Sequence, residues 1–297
     1  MAMLYDVRLE LSYDYDATVH GGRHLIRDRR DADQMAAAVQ RVVASSLSFV
    51  PRPERISSFN DFFGNLATEI GYVEPHDSLL IRLSARVHVE ELAPPIDLSP
   101  TIAGLHREIS SLWSVAANSP HHFLAASPRV PLDPAITGYA RAAIGASPSA
   151  LAAITALCRA VHGDFVYDTK ATKVSTTPAE AFALRRGVCQ DFAHVMIAGL
   201  RGLGIPAGYV SGFLRTNPPP GKPRLEGADA MHAWVRAWCG QDMGWIEFDP
   251  TNAILAGPDH IAIGHGRDYA DVSPIVGVLK THGSHEAKQS VDVLRIQ

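Results

Sequence analysis

The pattern of apolar and polar residues predicts two parts of different character. In the first part, four stretches are predicted to be β-strands: Leu4–Tyr15, Ile56–Phe63, Leu66–Tyr72 and Leu79–Val89. The first and last alternate apolar with polar or charged residues, as half-buried strands do. The middle two flank Gly64-Asn65, a pair that tolerates the positive φ of a hairpin turn. We therefore expect residues 1–95 to form a β-rich N-terminal domain.

The second part, residues 96–297, shows helical periodicity followed by strands. Residues 96–132 contain several prolines and one short predicted helix, near Ile102–Val115, so we expect them to connect the two parts. Longer helices are predicted at Asp133–Ile144, Pro148–His162 and Val188–Leu203, and strands at Ala207–Leu214, His232–Cys239 and Trp245–Phe248. The last helix has a clear apolar face and stops at Gly204. The Pro- and Gly-rich stretch Thr216–Asp229 is predicted to be a mobile surface loop.

Composition and charge narrow the class of protein. The 297 residues are 46% hydrophobic and 20% charged, which is typical of a soluble globular chain. A formal net charge of −4 offers no basic surface for nucleic acid and little attraction to an anionic membrane. No signal peptide or transmembrane run is visible, and three cysteines indicate reduced thiols rather than a disulfide framework. The sequence therefore predicts a cytoplasmic protein that binds neither nucleic acid nor membranes.

Three residues of the second part combine the chemistry of a thiol enzyme. Cys189 stands at the start of the clearest helix, where the positive end of the helix dipole favours a thiolate. His232 enters a predicted strand, and Asp249 ends the next one before a proline. A cysteine nucleophile needs a base within hydrogen-bond reach, and the base gains from a third group that fixes its tautomer. The combination therefore indicates nucleophilic catalysis.

Each of the three residues also has a more ordinary interpretation when it is taken alone. A cysteine in an apolar helix is often a small core residue, and a histidine beside bulky apolar residues is often structural. An aspartate before proline commonly forms a turn. The hypothesis of a thiol enzyme therefore rests on the presence of all three residues together.

At these residues the chain resembles the transglutaminase-like superfamily. The matching motifs are Gly187-Val188-Cys189-Gln190-Asp191-Phe192-Ala193-His194, Gly204-Ile205-Pro206-Ala207, Tyr209-Val210-Ser211-Gly212, His232-Ala233-Trp234-Val235 and Phe248-Asp249-Pro250-Thr251-Asn252. The tail Gly266-Arg267-Asp268-Tyr269-Ala270-Asp271-Val272-Ser273-Pro274 and the upstream Arg23-His24 and Asp61–Asn65 are similar to its bacterial branch. The resemblance covers nearly the whole chain.

This resemblance implies an α+β fold with a papain-like core, in which the cysteine-bearing helix packs on an antiparallel sheet. It implies Cys189 as the nucleophile, His232 as the general base and acid, and Asp249 as the orienting carboxylate, with no cofactor. The expected substrate is a protein or peptide amide, which forms a thioester on Cys189. Water or an amine would then resolve the thioester, as in a protease, a deamidase or an acyltransferase.

Four neighbouring residues are weighed for supporting roles. The backbone N–H of Cys189 is the first candidate donor to the oxyanion, and Tyr167 or Gln190 is the second. Asp191 and His194 either support the site or form an intrahelical Asp–His pair.

Two rival classes of function are also weighed. One is a non-catalytic module that keeps the fold and holds a peptide in its cleft. The other is a metallohydrolase, for which His121-His122 and the pair His282 and His285 are the nearest histidine clusters. The chain has no His-Glu-x-x-His and no Cys-x-x-Cys, so we predict no metal site. The sequence does not predict an oligomeric state.

Overall fold

The computed structural model of this chain describes residues 2–29, 34–35, 38–91, 93, 96–216 and 229–296. Within these ranges the first part is built from strands: β1 (Ala2–Val19), β2 (Gly22–Arg29), β3 (Gln34–Met35), β4 (Ala38–Val50), β5 (Arg55–Asn60), β6 (Leu66–Tyr72) and β7 (His76–Glu91). The predicted hairpin is confirmed, because β5 pairs antiparallel with β6 across a turn in which Gly64 has a φ of 80°.

The strand β4 lies outside the sequence prediction, although it pairs with β7 over most of its length. Its residues from 40 to 50 are half-buried or exposed, and none is fully buried. Within residues 40–50, Val42, Leu47 and Phe49 pack against the core as partly buried side chains, and a register shift between Val42 and Ala44 interrupts their alternation. The strand therefore gives a weak signal in a pattern search.

The second part alternates helices and strands: α1 (Ile102–Ser111), a 3-10 helix (Pro120–Phe123), α2 (Pro134–Ile144), α3 (Ala150–Asp164), β8 (Val166–Tyr167), α4 (Pro178–Leu184), β9 (Arg186–Gly187), α5 (Cys189–Gly202), β10 (Ala207–Leu214), β11 (Ala230–Trp238), β12 (Trp245–Asp249), β13 (Ile254–Leu255), β14 (His260–Gly266), α6 (Tyr269–Val272), β15 (Ile275–Leu279) and β16 (His285–Arg295). The longer helices and the three strands predicted here are confirmed to within a few residues.

The predicted loop Thr216–Asp229 lies, apart from its ends, outside the described residues. In the described part of the chain, no helix is both long and apolar enough to cross a membrane.

Helix α5 packs on an antiparallel sheet of order β13-β12-β11-β10-β14, chiefly against β10 and β11. Every residue of α5 from 190 to 201 is buried, because α2, α3 and α4 cover the sides that the sheet leaves free. Gly199 allows α2 to approach closely, since a Cβ built there would lie 2.9 Å from the Ala140 Cβ. The predicted α+β architecture, with the cysteine-bearing helix on an antiparallel sheet, is confirmed.

The last strands of the chain return to the N-terminal sheets. Strand β16 pairs with β1, so that one sheet has the order β16-β1-β7-β4-β3, and β15 pairs with β2 in a sheet of order β15-β2-β6-β5. The predicted catalytic segment 96–297 thus contributes two strands to the β-rich region. Only Val291 and Val293 of β16 are fully buried, which explains why its sequence gives a weak strand signal.

The N-terminal region also covers the outer edge of β14. The Gln40 side chain donates from Nε2 to the Ala262 carbonyl at 2.7 Å, and its Oε1 accepts from the Ala262 N–H at 2.9 Å. Asn65 makes the same pair of bonds with the His265 backbone, both at 2.8 Å. These amides satisfy backbone groups that an edge strand would otherwise leave open, and they hold β14 in place.

Candidate active site

Helix α5 begins at Cys189, and the turn before it is held by a buried carboxylate. Asp191 Oδ2 accepts from the Val188 N–H at 2.8 Å and from the Thr172 hydroxyl at 2.6 Å. Burial raises the pKa of Asp191, and these two hydrogen bonds oppose that effect. A Cβ on Gly187 would overlap the Asp191 carboxylate, so this turn needs a glycine before Val188. The local sequence therefore fixes where the thiol stands.

Cys189 is partly exposed, and its charge acts on two tyrosines. Tyr167 stands on β8, which pairs with β9 immediately before the helix, and about half of this residue (53%) is exposed. Tyr209 stands on β10 and is buried. Burial, and then the negative charge of the Cys189 sulfur, raises the pKa of both phenols. Both rings thus lie within electrostatic range of the thiol.

The imidazole of His232 lies between the thiol and a carboxylate. His232 stands on β11 opposite Gly212 of β10 and is 8% exposed. Its Nε2 bonds Asp249 Oδ2 at 2.8 Å, which leaves Nδ1 as the ring nitrogen available to the Cys189 thiol, and this thiol acts on the pKa of the ring. Burial alone would lower the pKa of His232, but the bond to Asp249 and the charges of Asp249 and Cys189 raise it to about 9. The ring is therefore an imidazolium at neutral pH.

Asp249, at the end of β12, is fully buried and accepts five hydrogen bonds. Its Oδ1 accepts from the backbone N–H groups of Thr251 and Asn252. Its Oδ2 accepts from the side chains of His232, His260 and Asn252. Burial alone would raise the pKa of Asp249, but the bonds from His232 and His260 lead the opposing effects that hold it well below its usual range. This carboxylate is a permanent negative charge behind His232.

His260, on β14, is a part of the site that sequence reasoning missed. Its Nε2 lies 3.0 Å from Asp249 Oδ2, and its ring centroid lies 6.0 Å from that of His232. The metal-ligating atoms of His232, Asp249 and His260 lie within 4.8 Å of one another, which is close enough to hold a metal ion. Each of these atoms takes part in the hydrogen bonds to Asp249 Oδ2, so the present arrangement is a hydrogen-bond network. Neither histidine cluster considered from the sequence includes these residues.

Trp234 packs against the imidazole rings of His232 and His260. It is fully buried, its ring stacks on His232 with centroids 6.0 Å apart, and it meets the edge of His260 at 5.2 Å. Its Nε1 donates to Glu247 at 2.7 Å. Any side chain on Gly212 would overlap the indole, so a glycine at that position gives Trp234 its space. Trp234, two residues after His232 in the chain, thus forms part of the packing around the site.

The other predicted residues have defined positions. Gln190 is buried and donates from Nε2 to the Val174 carbonyl at 3.1 Å, so its amide anchors the loop before α4. His194 accepts at Nε2 from the Tyr269 N–H at 3.2 Å, whereas Asp191 bonds Val188 and Thr172. The alternative of an intrahelical Asp–His hydrogen bond is therefore not what the structure shows. Burial lowers the pKa of His194 to about 4, so this ring is neutral.

The remaining thiols belong to the core. Cys158 on α3 and Cys239 after β11 are both buried, whereas Cys189 is partly exposed. Burial raises the pKa of Cys158 to about 12 and raises that of Cys239 further. Because the thiolate is the reactive form, neither core thiol is a nucleophile near neutral pH.

Two family models match the chain. The model of the transglutaminase-like superfamily matches residues 137–250, which contain Cys189, His232 and Asp249. The model of the bacterial transglutaminase-like N-terminal region matches residues 5–88, which contain most of β1 and β7 and all of β2 to β6.

Relatives in sequence agree with these matches. The uncharacterized protein Rv2569c of Mycobacterium tuberculosis is 35% identical over 300 residues, which cover 97% of this chain and 90% of that protein. A protein-glutamine gamma-glutamyltransferase of Pseudomonas aeruginosa is 36% identical over 123 residues, which cover 40% of this chain and 18% of that protein.

A solved structure shares the fold along the full chain. It belongs to a protein of Cytophaga hutchinsonii described as a candidate cysteine protease, has a TM-score of 0.75 and 19% sequence identity, and covers 100% of this chain and 92% of that one. At 19% sequence identity, this structural similarity is evidence for the fold alone. Together with the two family models and the relatives, it leads to one conclusion: the chain belongs to the transglutaminase-like superfamily and carries the N-terminal region of its bacterial branch.

Proposed function

We propose that this protein is a cysteine acyltransferase or hydrolase that acts on protein or peptide amides. The observation that carries the proposal is the position of the His232 imidazole, which bonds the buried Asp249 carboxylate at 2.8 Å and whose pKa the Cys189 sulfur helps to raise. A thiol beside an imidazolium that is itself bonded to a buried carboxylate is the arrangement that supplies a thiolate at neutral pH. The similarity to the protein-glutamine gamma-glutamyltransferase of Pseudomonas aeruginosa, over 40% of this chain, supports an amide substrate.

The proposed reaction has two halves. The Cys189 thiolate attacks the amide carbonyl and forms a C–S bond, while the backbone N–H of Cys189 donates to the oxyanion. His232 then gives its proton to the departing nitrogen as the C–N bond breaks, which leaves a thioester. Water or an amine attacks the thioester, loses a proton to His232 and releases the thiolate. Tyr167, which is half exposed and within electrostatic range of Cys189, is the better second donor, since the Gln190 amide is bonded to Val174.

Trapping the thioester tests this proposal. We expect that a library of peptide amides, including peptides with glutamine, will give an intact-mass increase equal to one acyl group when the reaction is quenched in acid. Peptide mapping should place the group on Cys189 and leave Cys158 and Cys239 unmodified, because both of these are buried. An adduct on either core cysteine, or the absence of any acyl adduct with a broad library, would contradict the proposal.

The pH dependence of the reaction should have its alkaline limit near the pKa of His232. That pKa is raised to about 9, so the imidazolium is present below this value and is lost as the pH rises through it. We therefore expect kcat/KM for an amide substrate to be steady in the weakly alkaline range and to fall with a midpoint near pH 9. A profile of kcat/KM from pH 6 to about 10.5 checks this. A midpoint near 6.5, the ordinary value for histidine, would show that Asp249 does not support the ring.

A further inference from the structure

The geometry points to His260 as a positioning residue of this site, which holds the Asp249 carboxylate in the orientation that accepts from His232. This inference rests on the proposed roles of Cys189, His232 and Asp249. His260 is buried, with 7% of its surface exposed, and touches neither the thiol nor the space above it in any contact that the structure shows. Its action is therefore through Asp249.

The hydrogen bonds of His260 fix its tautomer. The Gly257 N–H donates to His260 Nδ1 at 3.1 Å, and a backbone N–H is always a donor. Nδ1 must therefore present its lone pair, so the ring proton lies on Nε2. That proton points to Asp249 Oδ2 at 3.0 Å. The backbone of the β13–β14 connection thus turns His260 into a fixed donor toward the carboxylate.

The same tautomer argues against a resident metal at this cluster. A metal ligand would need the lone pair of His260 at Nε2, and Nδ1 would then carry the proton. A protonated Nδ1 would face the Gly257 N–H, so two donors would meet. The donor role toward Asp249 is the one that the surroundings of His260 satisfy.

Asp249 Oδ2 needs such a donor because it is shielded from bulk solvent. The carboxylate is fully buried, and its Oδ2 is approached by His232 at 2.8 Å, by His260 at 3.0 Å and by the Asn252 side chain at 2.7 Å. A carboxylate with free lone pairs in an apolar interior would turn to find partners or gain a proton. Three donors from different elements leave one orientation that satisfies them all.

His260 is itself held by the body of the protein. It begins β14, whose edge is clamped by Gln40 at Ala262, and the neighbouring Asp259 accepts from the Tyr5 hydroxyl at 3.1 Å. The charged or titratable groups that contact its ring are Asp249 and His232, and Trp234 closes the remaining side. The N-terminal region thereby contributes to the placement of Asp249 through β14.

Two amide substitutions at position 260 test the inference with matched chemistry. In His260→Gln the amide is long enough to accept from Gly257 and donate to Asp249, as the imidazole does. In His260→Asn the side chain is one methylene shorter, so it keeps the acceptor for Gly257 and does not reach Asp249. His260→Leu serves as a second variant without a donor. Melting temperatures of all three variants show which ones fold.

The readout is the rate of alkylation of Cys189 by iodoacetamide from pH 5 to about 10, followed by peptide mass, because it reports the thiolate without a substrate. We expect His260→Gln to resemble the parent protein. His260→Asn and His260→Leu should react more slowly at neutral pH by on the order of 10-fold. The midpoint of the rise in alkylation rate should move to higher pH, because a displaced carboxylate stabilises the imidazolium less and the thiolate that pairs with it therefore forms less readily.

Two outcomes would overturn the role of His260. One is a pH profile of the Asn and Leu variants equal to that of the parent. The other is an equal loss in all three variants with an unchanged midpoint of the alkylation profile, since a purely structural residue would give that result. Failure of the acyl-transfer proposal would look different. In that case the parent protein would form no thioester with any amide, while the alkylation profile would still separate His260→Gln from His260→Asn.

Discussion

Replacement of Cys189 by alanine is expected to abolish amide turnover, with kcat/KM falling by about a millionfold or to the background rate. Alanine has no nucleophile, so the covalent half of the reaction is lost rather than slowed. What remains is binding and the oxyanion donor, which by themselves accelerate a reaction only modestly. The side chain is partly exposed at the first position of α5, so the free energy of unfolding should change by about 1 kcal/mol or less.

The two core cysteines supply matched controls for this experiment. Cys158→Ala and Cys239→Ala each remove a buried thiol and leave a small cavity, which should lower the free energy of unfolding by about 1 kcal/mol. Neither thiol is hydrogen-bonded to Cys189, His232 or Asp249, although the charge of Asp249 reaches Cys158. We therefore expect kcat/KM of the folded variants to stay within a few-fold of the parent value, with Cys239→Ala as the stricter control. Turnover that survives in Cys189→Ala and disappears in Cys239→Ala would show that the nucleophile is assigned to the wrong residue.

Replacement of Asp249 by asparagine is expected to lower kcat/KM by roughly 10³- to 10⁴-fold. Each carboxylate oxygen faces only donors: three side chains at Oδ2 and two backbone N–H groups at Oδ1. An asparagine must place its NH2 group against one of these sets, so donors meet in either orientation. The amide also removes the charge that raises the pKa of His232, so the alkaline limit of activity should move to lower pH.

Asp268→Asn is a control for Asp249→Asn that separates a loss of catalysis from a loss of stability. Asp268 is equally buried, and its carboxylate accepts from the Arg129 and Ala270 N–H groups at 2.6 and 2.8 Å. Both variants should lose about 1–3 kcal/mol of unfolding free energy, since each leaves a buried donor unsatisfied. We expect the Asp268 variant, once folded, to keep kcat/KM within a few-fold of the parent. Equal kinetic losses in the two variants would indicate that Asp249 acts only through the fold.

The parts of the fold that could be predicted are those whose signal is local. Helix α5 was predictable because its apolar residues recur with the period of a helix and Gly204, with a φ of 73°, ends it. The hairpin of β5 and β6 was predictable because its turn residues lie next to each other in the chain. Strand β16 was not, since it lies at an edge with few buried residues and its partner β1 is at the other end of the chain.

The residues of the candidate site also differ in whether the sequence could predict them. Cys189, His232 and Asp249 could be selected because each sits in a short motif of characteristic composition, and the structure brings the three side chains together. Gln190 could be selected as a candidate oxyanion donor from its position next to Cys189. The motif does not reveal that its amide instead donates to the Val174 carbonyl. His260 carries no local signal, because it is one of 14 histidines and follows no recognisable spacing.

The sequence by itself determined the elements and the reactive atoms: a thiol at a helix start, an imidazole at the head of a strand and a carboxylate at the end of the next. Only the tertiary structure decided which partners these groups have. In the sheet, β10 and β11 stand between β14 and β12, yet the fold brings His260 of β14 within 3.0 Å of the carboxylate that ends β12. The N-terminal region supports β14 from outside. The physical reason is that periodicity and turn chemistry act over a few residues. A buried charge, in contrast, is stabilised by whatever donors the fold brings to it from any distance along the chain.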